Sequence, residues 1–232
     1  MSTNKNVSPD NDSLIISYLT LRKAVGILGM ILPFILLAGY ILFEKDCVFP
    51  PSISHFYYTG LGNYFVGTLC AVSLFLFSYN GYNDGDKWVA KLAGLFAILV
   101  ALFPTNFNGY GPELCSRIAA SENDFSNIVH YTAATLLFSA FAWFSLVLFT
   151  KTKKDATITP QKIIRNGIYR TCGWVIIVCI IGIALFSFIP SLYNRFKLYK
   201  PTYVLETFAL LAFGFSWLIK GETFFMDKKP KR

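Results

Sequence analysis

Charge is scarce in this chain. Asp, Glu, Lys and Arg together make up 15% of its 232 residues, against roughly 25% in an ordinary soluble domain. Histidine occurs only at positions 55 and 130. That is too few for a paired-histidine zinc hydrolase site, which takes three protein ligands and an open position. No G-x-S-x-G turn is present to raise a nucleophilic serine, and no CxxC or Cys/His spacing suggests a metal finger. The alternating polar pattern of a membrane β-barrel is missing. So is a basic module with interleaved aromatics, which excludes nucleic acid as a partner.

What the chain does have is apolar length. Hydrophobic residues account for 54% of it, and runs of ~20 apolar residues suffice to cross a ~30 Å hydrocarbon layer as helix. Such runs lie at 24–43, 61–79, 89–105, 128–150, 172–190 and 202–220. Without water to pair with, their backbone amides must bond within the segment, so each is expected to be helical. The third, WVAKLAGLFAILVALFP, is short and ends at Pro104. The expected fold is all-α: a polytopic membrane protein, a six-helix transmembrane bundle over residues 21–222. A polar, disordered tail (1–20) precedes it and a basic tail (223–232) follows. The first run is long and preceded by a long polar head, so it reads as a retained span and not a cleaved signal.

Orientation follows from the bases. With six spans, one side carries both termini and the second and fourth loops, and with them 16 of the 21 Lys and Arg residues. Positive charge resists translocation, which places both termini in the cytoplasm. The net charge of +8 then needs no nucleic acid. The loop KTKKDATITPQKIIRNGIYR offers Lys151, Lys153, Lys154, Arg165 and Arg170 to an anionic leaflet, where each base gains about 1 kcal/mol. The expected setting is a plasma membrane or bacterial inner membrane. Cys70, Cys172 and Cys179 fall inside spans, whereas Cys47 and Cys115 fall in the first and third loops on the non-cytoplasmic side. A disulfide between those two is expected there.

Two ionisable groups interrupt apolar runs: His130 in DFSNIVHYTAATLLFSAFAW and Glu206 in TYVLETFALLAFGFSWLIKG. Both lie near the non-cytoplasmic ends of their spans, within about 5–8 Å of the boundary at 1.5 Å per residue. Buried ionisable groups in membranes usually face protein or a water-filled cavity. His130 is therefore expected to face Glu206, in a polar pocket that also draws on Asn106, Ser54, His55 and Tyr58. Small residues at Ala93, Ala97 and Ala101, and at Gly67 and Ala71, are expected to bring helices close. Phe213 and Trp217 are expected in the core, with Trp88, Tyr82 and Tyr203 in an interfacial belt.

Pro51, Ile53 and Ser54 at the entry to span two, Asn106-Phe107 after span three, Val129-His130 and Glu206 together resemble the six-helix damage-regulated autophagy modulator and Sfk-like family and related bacterial proteins. The resemblance covers roughly residues 20–222. The residue after I-S is commonly acidic in similar sequences and is His55 here. The family implies lipid-linked roles without an agreed chemistry. The expectation is thus a non-catalytic protein that handles or organises membrane lipids, with anionic headgroups at its cytoplasmic face and no cofactor or metal. Two alternatives stand beside it: a membrane hydrolase resembling alkaline ceramidases, and a proton-coupled transporter using the His/Glu pair.

Overall fold

A computed structural model describes residues 10–79, 81, 83–106, 123–152 and 159–224, with side chains from Tyr18 onward. The described residues are helical and contain no strand: α1 (Asp10–Phe43), α2 (Gly62–Phe77), α3 (Asp84–Leu102), α4 (Asp124–Trp143), α5 (Pro160–Phe188), α6 (Pro190–Phe196) and α7 (Pro201–Lys220). Short 3-10 turns occupy Ser54–Tyr58 and Lys197–Tyr199, and a π-helical turn, Phe144–Leu148, extends α4. Helix α1 starts at Asp10, inside the segment expected to be a disordered tail. Residues 1–9 and 225–232 lie outside the described set.

Four segments are long and apolar enough to cross a membrane: Tyr18–Phe43, Asp124–Leu148, Pro160–Phe188 and Pro201–Lys220. They mark the chain as an integral membrane protein. Spans two and three are helical where expected but fall short of that standard. Helix α2 has 16 residues, about 24 Å of helix. Helix α3 carries Asp84, Asp86, Lys87 and Lys91 in its first half.

Local chemistry sets the helix starts. Side chains of Asn83, Asn123 and Thr159 accept backbone N–H bonds at the heads of α3, α4 and α5, satisfying donors that the first turn leaves unpaired. At the head of α7, Lys200 takes a left-handed conformation (φ 50°) and Pro201 supplies the first helical residue, where its missing N–H costs nothing.

Helices α1 and α7 run antiparallel in backbone contact. Gly26 meets Gly214 and Leu218, Gly29 meets Phe213, and the Tyr203 hydroxyl donates to the Pro33 carbonyl at 2.7 Å. Tyr203 is therefore a buried tie between helices and not part of an interfacial belt; Trp88 is exposed as a belt residue should be, and Tyr82 lies outside the described residues. Phe213 stacks on Phe141 of α4 at 3.7 Å, and Trp217 is fully buried among Tyr79, Phe144 and Phe149. Ala93, Ala97 and Ala101 are buried as expected. Gly67 is not a packing position: a Cβ there would meet nothing within 4 Å. Outward-facing Leu42, Phe43, Trp174 and Phe188 stand bare, the surface expected of helices solvated by lipid chains.

The chain thus has two polar ends. One gathers residues 44–61, 103–106, the head of α4 and Lys200. The opposite end gathers Arg22, Asp86, Lys151, Lys162 and Lys220.

Candidate functional site

The segment between α1 and α2 folds back over the first of these ends and is pinned from several sides. Glu44 accepts the Gly60 N–H at 2.6 Å, Glu206 accepts the Ile53 N–H at 2.5 Å, and Lys200 donates to the Phe49 carbonyl at 2.7 Å. The backbone N–H of Tyr203 reaches the Pro51 carbonyl at 3.1 Å. The four residues Pro51 to Ser54 therefore form a wedge held against α7.

His130 and Glu206 do not meet. The expected imidazole–carboxyl contact is replaced by two separate bonds to backbone: His130 Nδ1 to the Phe103 carbonyl at 2.7 Å, and Glu206 Oε2 to Ile53. The physical reason is that the wedge at Ile53 and the end of α3 at Phe103 each expose a backbone group that needs a partner inside an apolar bundle, and these two side chains supply them. His130 instead lies within electrostatic range of His55, so the two histidines are neighbours.

His55 is held by Ser52, whose hydroxyl sits 2.6 Å from Nδ1. Burial drives the His55 imidazole down to about 4, with His130 and Lys200 adding to the shift and the backbone of Asn106 opposing it. Its ordinary value near 6.5 applies when unfolded. The unfolded chain therefore binds the proton more readily, and the stabilisation from a neutral His55 is complete above about pH 6.5 and lost as pH falls towards 4. Thermal unfolding in detergent should show a falling midpoint across that window. In His55→Gln the fall should be visibly shallower; an unchanged slope would contradict the assignment.

Asn106 is an architectural residue. Its backbone N–H donates to Asn127 Oδ1 at 2.9 Å, its amide donates to Asp124 at 3.3 Å, and its own oxygen accepts the Asn123 N–H at 3.1 Å. Thr105 adds weaker contacts to Asn127 and Tyr131. Tyr58 is also engaged: it is buried, and its hydroxyl donates to the Thr105 carbonyl at 2.6 Å. Glu44 and Asn127 were missed from sequence. Asn127 sits three residues before His130, on the same helix face, and that spacing is a readable signal. Glu44, in the run FEKDC, carries none.

Two polar groups remain uncommitted. Ser54 makes no hydrogen bond among the described residues, and the second oxygen of Glu206 accepts none. Both line a cavity of about 50 Å³, several times the ~10–15 Å³ that one water needs by the same measure. Apart from Thr68 its remaining walls are apolar, including Leu32, Phe65, Val72, Leu137, Phe138 and Phe213 from four different helices. Glu206 and Ser54 are thus among the residues that line a largely hydrophobic hole.

The other expected sites divide. Lys151 is not a free surface base: its ammonium lies 2.5 Å from the carboxylate of Asp86, which is almost wholly buried. Arg170 is exposed and Arg165 half-buried, while Lys153 and Lys154 lie outside the described residues. Cys70, Cys172 and Cys179 are free thiols and Cys47 is not among them. Cys115 lies outside the described residues. Among the described residues no three His, Cys, Asp or Glu side chains converge as metal ligands.

Compared with protein-family models, with characterised proteins and with solved structures, the chain matches none.

Proposed function

We propose that this is a six-pass membrane protein that handles or organises lipids without catalysing a reaction on them, with both termini in the cytoplasm of a plasma membrane or bacterial inner membrane. The observation that carries the reading is the position of Glu206. One oxygen anchors the wedge through Ile53, and Glu206 and Ser54 are both among the residues that line an apolar cavity. That arrangement suits an amphiphile: a polar atom hydrogen-bonded to the rim and a chain end in the hole. The resemblance to the lipid-linked six-helix family points the same way. The non-cytoplasmic side is then the end carrying His55, and the opposite end, rich in bases, faces anionic headgroups.

A bond between Cys47 and Cys115 is part of the same proposal, supported by an oxidising exterior. The transporter reading finds less support, since the His/Glu relay it needs is not formed: His130 and Glu206 are each committed to a backbone group.

The test is mass spectrometry of lipids that copurify with the protein. Glu206→Gln keeps an acceptor oxygen for Ile53 but replaces the other carboxyl oxygen with an amide. It should lose about tenfold in retained lipid, the equivalent of ~1.4 kcal/mol, while its unfolding temperature stays within a few degrees. Unaltered lipid retention in a folded Glu206→Gln protein would defeat the proposal.

A further inference from the structure

The cavity lined by Glu206 has a depth and a floor. Its lining runs from Phe65 to Val72 on α2, from Ala134 to Phe141 on α4 and from Glu206 to Phe213 on α7. These are equal stretches of three helices that start at the wedge, and each spans about 10 Å at 1.5 Å per residue. The shallow end lies at the wedge, whose Ile53 and Ser54 belong to the lining. At the deep end Phe213 stacks on Phe141 at 3.7 Å, and Gly29 leaves space for the Phe213 ring, which a Cβ there would meet at 2.9 Å. A volume of about 50 Å³ drawn out over that depth admits one alkyl chain and leaves no room for a second.

Polar side chains enter this lining only from Ser54, Thr68 and Glu206, and Glu206 is the one that can carry charge. Ion pairs among the described residues join Lys87 to Asp84 and Lys151 to Asp86, both at the opposite end of the bundle. Lys200, six residues before Glu206, donates instead to the Phe49 carbonyl at 2.7 Å. Tyr203, within electrostatic range of Glu206, donates its hydroxyl to the Pro33 carbonyl. The carboxyl is thus left with the Ile53 N–H and no counter-ion among the described residues. An ionisable group inside a membrane bundle ordinarily pairs with an opposite charge or marks a ligand's position. An ammonium brings a charge and three donors, and hydroxyls such as those of Ser54 and Thr68 can accept from it. An anionic head would meet like charge instead, and a diacyl phospholipid brings both a phosphate and a second chain.

We propose that the cavity takes a single-chain amphiphile whose polar end is a cationic amine, with the ammonium at Glu206 and the chain directed towards the Phe213 and Phe141 rings. The inference rests on the lipid-handling reading of this cavity and narrows it to one chain and one headgroup charge.

The experiment titrates the delipidated full chain in a non-ionic detergent with decylamine, decanol and decanoic acid, and reads the unfolding temperature. At about pH 8.5 the amine is cationic and the acid anionic, while the chains are identical. Decylamine should raise the unfolding temperature at a concentration about tenfold lower than decanol, the effect of one close charge pair, and decanoic acid should act most weakly. Equal responses to all three would overturn the amine assignment and leave the alkyl cavity standing. No response to any of them would overturn both. Glu206→Gln should bring decylamine level with decanol, and a surviving preference for the amine in that folded variant would overturn the proposal. Leu137→Phe places a larger side chain in the cavity wall and should weaken decylamine and decanol alike. Undiminished binding in that variant would place the amine elsewhere and overturn the site. Where Glu206→Gln folds poorly, the comparison of amine with acid on the unaltered chain and the Leu137→Phe result decide.

Discussion

Lys151→Met is expected to destabilise the protein by about 2–3 kcal/mol, read as a fall in unfolding temperature in detergent. Its ammonium is the cation paired with Asp86, whose side chain is 3% exposed, across a 2.5 Å contact that ties the head of α3 to the end of α4. Removing one partner of a fully buried pair costs about 3–5 kcal/mol, because the remaining charge stays buried without that counter-ion. The cost is set below that range here since the Lys151 side chain is still 34% exposed. The reciprocal change is expected to be milder. In Asp86→Asn the orphaned lysine can turn its flexible stem to water, and the amide keeps a hydrogen-bond acceptor, for a cost of about 1 kcal/mol. Equal effects from the two variants would show that the pair is no more than a surface contact.

Gly214→Ala carries the second large effect. A Cβ at 214 would stand 2.5 Å from the Gly26 carbonyl and 2.2 Å from Met30 Cγ. Met30 can swing away, but the carbonyl oxygen belongs to the backbone of α1, so the two helices must part. The reciprocal Cβ at Gly26 would meet the Gly214 carbonyl at 2.7 Å, which shows that the approach is backbone to backbone. Separation loosens the Phe213–Phe141 stack and the Tyr203–Pro33 bond along the same helix. Overpacking of this kind costs about 1–3 kcal/mol or more, against less than about 1 kcal/mol gained from helix propensity. Gly67→Ala on α2 is the matched comparison. With nothing within 4 Å of its Cβ, it should be neutral or slightly stabilising.

The pair Gly26 and Gly214 also shows where sequence reading stops. Small residues at fourfold spacing drew attention to Ala93, Ala97 and Ala101, which are buried, and equally to Gly67, which is not a contact. Gly26 and Gly214 lie in different helices, and only the antiparallel α1–α7 crossing makes them partners. The helices themselves were legible because apolar length and the lack of water for backbone amides leave few options. Their ends were less so. Helix α1 begins at Asp10 because polar residues outside the apolar run still permit helix, and α2 is shorter than its apolar run because Leu61 caps it at one end and Ser78 at the other.

The candidate site divides the same way. His130, Glu206, Asn106, Ser54, His55 and Tyr58 do collect at one end of the bundle, as the depth argument suggested. Their pairings were not readable. Depth along a helix follows from counting residues, whereas partner choice depends on which backbone groups a folded-back loop leaves open. The Ile53 N–H and the Phe103 carbonyl are such groups, and no side-chain pattern announces them. Lys151 illustrates the converse: a base in a basic loop reads as a surface charge until a buried carboxylate 65 residues away claims it.

The proposal that Glu206 and Ser54 guard a cavity occupied by an alkyl chain is tested most directly by photolabelling in nanodiscs with a lipid carrying a diazirine at its chain terminus. Peptide mapping should place the label on the cavity wall, at residues such as Leu32, Phe65, Leu137 and Phe138, with Glu206→Gln depleting it there. Label confined to outward-facing positions such as Leu42, Phe43, Trp174 and Phe188, and indifferent to Glu206, would contradict the account.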